Sequence, residues 1–193
     1  YGMETSFFYH ASRSDKMDNA FRTAVLSLLI TTGIFYGLFE LNIDAIAGLM
    51  RYESTPHYLR IMVWILCLDV LAALPFARLR LQGRAVKFVS VKFSLIIVNV
   101  VLNLLLFKAK EWFNLDLDFL PNWLQGDLVG YVLVVNLIAS STMLLLLLGQ
   151  FKPLLSLSGF DNALWRKMIV YGLPLMLAGL AGIAVCGIAT GLA

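Results

Sequence analysis

Asp69 is the residue best placed to do chemistry. It is the one charged group in the apolar run ILCLDVLAALPFA, from Ile65 to Ala77. A carboxylate there would take up a proton or a small cation, or make a polar contact in a substrate cavity. It would serve packing alone if an arginine on a neighbouring helix neutralised it. A charge at membrane depth costs roughly 2.5–3.5 kcal/mol on insertion scales, so it marks a candidate site. Pro75, further along the same run, removes a backbone donor and predicts a kink near that acid.

Asn99 and Asn103 are spaced to share one helical face. They would line a polar path, or join neighbouring helices by hydrogen bonds worth roughly 0.6–2 kcal/mol each. Ser140, Ser141 and Thr142 carry less weight, because such hydroxyls commonly bond back to their own helix. Arg78, Arg80, Arg84 and Lys87 form a basic cluster. Arginine forks suit phosphate oxygens, so the cluster would hold a diphosphate or an anionic headgroup. The same cluster would also arise as a cytoplasmic topology signal with no ligand.

Motifs of soluble catalysis are missing from the sequence. There is no Walker loop, HExxH, GxSxG or dinucleotide fingerprint. His10 and His57 stand apart, and Cys67 and Cys186 lack the spacing of a zinc site. The expectation is a protein that is not an enzyme, with no cofactor and no metal.

The elements that must position these residues follow from composition. The chain has 193 residues, of which 60% are hydrophobic and 14% charged. Mean hydropathy is +0.83. That excludes disorder, which needs low hydrophobicity and high charge. Two cysteines exclude a disulfide-dense scaffold. The first twenty residues contain Glu4, His10, Arg13, Asp15, Lys16 and Asp18 and do not read as a signal peptide. A membrane-crossing helix needs about 20 mostly apolar residues. Five runs qualify: Thr23 to Phe39, Ile61 to Ala77, Phe88 to Phe107, Leu128 to Phe151, and Met168 onward. They are continuously apolar rather than alternating, so helices are expected and not a barrel. The predicted fold class is all-α, a polytopic transmembrane helix bundle of about five spans plus a partial N-terminal helix. Tyr1 to Phe8 would be the tail of an earlier helix or a short interfacial segment.

Charge sets the orientation. Connections 9–22, 78–92 and 152–167 carry eleven of the fifteen lysines and arginines, so they are expected on the cytoplasmic side. The net charge of +3 is spent on these connections, and no nucleic-acid partner is expected. The connection from Glu111 to Asp127 would lay Trp112, Phe113, Phe119 and Trp123 along the headgroups. The last run is rich in small residues. Gly187 with Gly191, and Ala178 with Gly182, would allow close helix approach, and Pro174 marks a bend.

Three stretches resemble one family. They are YGMETSFFYHAS at 1–12, LDVLAALPFARLRLQGRAVKF at 68–88 and FDNALWRKMIVYGLPLMLAGLAG at 160–182. They are similar to elements of bacterial polysaccharide-biosynthesis membrane proteins. These form the oligosaccharide-flippase branch of the multidrug/oligosaccharidyl-lipid/polysaccharide exporter superfamily. The resemblance implies two six-helix lobes around a central cavity. It places residues 1–167 in most of the N-terminal lobe and 168–193 in the first helix of a second lobe, so the chain would be a fragment. It implies flipping of a polyprenyl-diphosphate-linked oligosaccharide across the bacterial cytoplasmic membrane by alternating access. Membrane lipids and a coupling ion, H+ or Na+, would be further partners. Carried over position by position, Glu4, Asp69 and Arg78 fall in matched motifs. Tyr9 and His10 depart from the family pattern, as does the uncharged IAVCGIATGLA at 183–193. The alternatives are an ion-coupled drug or cation antiporter of the same superfamily, and a membrane assembly subunit that transports nothing.

Overall fold

The computed structural model describes residues 2–11, 17–50, 55–112, 128–155 and 161–191. Among them are seven α-helices and one 3-10 helix, with no strands. In chain order they are α1 (Gly2–Ala11), α2 (Met17–Leu41), α3 (Ile43–Met50), α4 (Pro56–Leu81), α5 (Ala85–Trp112), α6 (Leu128–Leu147), a 3-10 turn (Leu148–Leu155) and α7 (Asn162–Gly191). Five of them, α2 and α4 to α7, contain stretches long and apolar enough to cross a membrane. The protein is an all-α polytopic membrane bundle.

Its exterior is as apolar as its interior. Val89, Phe93, Ile96, Val100 and Leu104 of α5 are all exposed, as are Val170, Leu173, Leu177 and Leu180 of α7. Water would penalise such a surface and lipid would not. The helices must therefore be held together by packing and polar contacts, because leaving lipid brings an apolar side chain little hydrophobic gain.

Two clusters supply the packing. Phe7, Phe21, Val25, Leu28, Leu74 and Met168 join α1, α2, α4 and α7. Phe76, Leu79, Val91, Met143 and Leu147 join α4, α5 and α6. Thus α4 belongs to both and is the central element.

Helix ends depart from the run boundaries read in the sequence, and the reason is general. Charges mark the edge of an apolar run, whereas a helix ends where its backbone bonding ends. Connection 9–22 is mostly helical: α1 extends to Ala11, α2 begins at Met17, and Arg22 is buried inside it. Connection 78–92 is not a loop. It is the end of α4, the start of α5, and a three-residue turn, Gln82 to Arg84. The Arg84 N–H bonds to the Leu79 carbonyl and the Gly83 N–H to that of Arg80. Gly83 sits at φ +65°, a left-handed position that suits glycine and completes this helix-stop motif. Both α4 and α7 run unbroken through their prolines, Pro75 and Pro174. The 113–127 part of the aromatic connection lies outside the described residues. The short helix α3 was not anticipated.

Close approach also occurs elsewhere than the small-residue pairs suggested. A Cβ on Gly182 would meet open space, whereas a Cβ on Gly2 would overlap the carbonyl oxygen of Gly172. Gly2 and Gly172 bring α1 against α7. Tyr9 then stacks on Tyr171 at 4.6 Å, and the Ser6 hydroxyl donates to the Met168 carbonyl at 2.8 Å. In Gly172→Leu the added side chain must push α1 outward. A stability loss of about 1–3 kcal/mol is expected, read as a lower unfolding midpoint in detergent. An unchanged midpoint would mean that α1 does not dock there.

Candidate functional site

The sequence candidates separate into three places. The first is at mid-membrane. Asp69 lies near the middle of α4, and its Oδ1 accepts a hydrogen bond from the Ser140 hydroxyl of α6 at 2.8 Å. Among the described residues it makes no ion pair, so the arginine partner considered above is not found there. The residue is exposed within this chain, while Ser140 is buried. Ser141 and Thr142 do bond back to their own helix, to the carbonyls of Leu137 and Ile138. Ser140 instead points to the acid.

Asn136 extends this polar group. It lies one helical turn before Ser140, on the same face of α6. Its side-chain oxygen accepts from Asn99 of α5 at 2.6 Å. The Asn103 amide in turn donates to both oxygens of Asn99, at 2.8 Å each. Two hydrogen bonds one helical turn apart on α6 thus tie it to α4 and to α5. Asn99 makes an interhelical bond, one of the two readings of the pair, whereas Asn103 bonds within α5 to Asn99. Asn136 was missed, although its place four residues before Ser140 in YVLVVNLIASS is the signal that could have found it.

The second place is the end of the bundle where α2 and α5 begin and α4 ends. Arg78 is buried at 8% exposure. Its Nη1 donates to the Gln150 carbonyl at 2.6 Å, and its Nη2 pairs with Asp18 at 2.7 Å. Its guanidinium also lies over the Phe21 ring, 5.0 Å from the centroid. Arg84 and Lys87 join it in lining a polar cavity of about 530 Å³.

Glu4 and Arg80 form the third. They pair at 3.3 Å between α1 and α4, and Arg80 also covers the Phe88 ring. The basic cluster is thus divided: Arg78 and Arg84 meet, and Arg80 faces elsewhere. Lys92, read as part of a connection, stands within α5 with its ammonium over Phe76 at 4.6 Å.

A larger open groove of about 840 Å³ runs along the α1–α7 junction. Tyr9, His10, Arg166, Lys167 and Tyr171 line it, and none of the sequence candidates does. Among the described residues no group of histidines, cysteines and acids could hold a metal.

Comparison with models of known protein families, with curated proteins and with solved structures gives no match in any of the three.

Proposed function

We propose that this chain belongs to a membrane transporter that moves a polyprenyl-diphosphate-linked oligosaccharide across the bacterial cytoplasmic membrane by alternating access. The observation that carries the transport reading is the mid-membrane acid. Asp69 is hydrogen-bonded but not charge-paired among the described residues, and it continues into the Ser140–Asn136–Asn99–Asn103 group. A bundle that merely spanned lipid would gain by having apolar residues there. Exposure of Asp69 against lipid would cost several kcal/mol, so a water-lined cleft beside α4 is the economical arrangement. The substrate class rests on the three stretches that resemble the flippase branch. On this reading connections 9–22, 78–92 and 152–167 face the cytoplasm.

The decisive experiment depletes the protein in its own cells and asks on which leaflet lipid-linked oligosaccharide accumulates. Cytoplasmic accumulation, reversed by the wild type, supports the flippase. Normal arrival at the outer leaflet sinks it. The ion-coupled antiporter then comes first, because an acid free of a cationic partner is what a proton or sodium site requires. Efflux of a lipophilic cation would be its signature.

A further inference from the structure

We infer that the cavity between Asp18, Arg78, Arg84, Lys87 and Gln150 is a phosphate site at the cytoplasmic headgroup level. Every residue that lines it belongs to the end of a membrane element. Asp18 opens α2, Arg78 and Gln82 close α4, Arg84 and Lys87 open α5, and Gly149 and Gln150 follow α6. The cavity is therefore at the edge of the apolar layer, where lipid phosphates lie.

Its charge is positive. Asp18 is already engaged by Arg78. Arg84 and Lys87 have no carboxylate partner among the described residues. A built feature supports the assignment. Arg78 is clamped by Asp18 and the Gln150 carbonyl, its side chain is only 10% exposed, and its Nε is a buried donor with no acceptor among the described residues. Such a donor costs about 1–3 kcal/mol if left alone. The Gln82 Oε1 beside it also lacks a donor. An anion bound in the cavity would be met by the side chains of Arg78, Arg84 and Lys87. A phosphate ester is such an anion, and arginine forks match its oxygens. The Lys87 ammonium reaches over Gly149, where a Cβ would stand 3.9 Å from it, so the far wall is cationic as well.

The inference is independent of transport. Its ligand would be a phospholipid headgroup or free phosphate, and these are separable. The full chain in phosphate-free maltoside micelles is titrated with phosphatidylglycerol, or with inorganic phosphate, while the thermal unfolding midpoint is followed. Phosphatidylglycerol is expected to raise the midpoint saturably. The double substitution Arg84→Gln/Lys87→Gln should weaken its apparent affinity about thirtyfold, since each cation near an anionic headgroup contributes roughly 1 kcal/mol. Both side chains are exposed, so the variant should fold. Arg166→Gln/Lys167→Gln, in the other basic groove, should keep the wild-type response. If inorganic phosphate acts as strongly as the lipid and is lost in the same double variant, the site stands and its ligand is soluble. If neither ligand shifts the midpoint, or if both double variants lose the response equally, the cavity is not a phosphate site.

Discussion

In Asp69→Asn, transport is expected to fall by about tenfold or more, while the unfolding free energy moves by less than about 1 kcal/mol. Asparagine has the shape of aspartate and keeps an oxygen to accept the Ser140 hydroxyl, the bond that ties α4 to α6. It cannot exchange a proton or neutralise a cation. The substitution therefore separates the two roles an acid within a membrane span can have. Asp69→Glu, which restores the charge at a displaced position, should recover part of the flux. The measurements are substrate flux in cells and thermal unfolding of the same variant in detergent. A stability change with normal flux would instead favour an assembly subunit and remove Asp69 from the transport machinery.

Arg78→Ala is expected to destabilise the bundle by about 2–4 kcal/mol. The side chain donates to the Gln150 carbonyl, pairs with Asp18 and covers Phe21, so its loss unties α4 from α2 and from the end of α6. A charged hydrogen bond contributes about 1.5–3 kcal/mol, and a cation over an aromatic ring about 0.5–2. The Asp18 carboxylate is 64% exposed, so it is not stranded as a buried charge and the loss stays below the worst case. Lysine at this position should restore less than half, because an ammonium cannot serve both acceptors from one plane. Arg80→Ala is the control. Its pair with Glu4 is half exposed, and removing it should cost less than about 1 kcal/mol. Equal losses at Arg78 and Arg80 would mean that burial does not distinguish them. The readout is the unfolding midpoint in detergent, with helicity followed in parallel.

These two arginines show where sequence reading succeeds and where it stops. The five spans were legible because lipid imposes one demand on every crossing, about 20 apolar residues in a row. Asp69 was legible for the same reason, as the exception to that demand. Burial of Arg78 and exposure of Arg80 were not. Two positions apart on a helix, they point away from each other, and which one faces the bundle depends on how α4 is rotated against α2 and α6. The partner of Asn136 was hidden likewise, since Asn99 is 37 residues away and reached only by packing. The Gly2–Gly172 contact has the same origin. Small residues are common in α7, but only docking of α1 selects the one that matters.

The three-residue turn at Gln82 to Arg84 bears on how α4 and α5 can be oriented in a membrane. Spans joined by so short a link cannot be oriented independently of each other. The turn therefore keeps the end of α4 and the start of α5 at one level, and the two helices run in opposite directions from it. A flipped hairpin would drag Arg78, Arg80, Arg84 and Lys87 through hydrocarbon, at roughly 2.5–3.5 kcal/mol for each charge. The cations that frame the turn thus stand together at one face of the apolar layer, and either orientation of the hairpin carries all four to the same side.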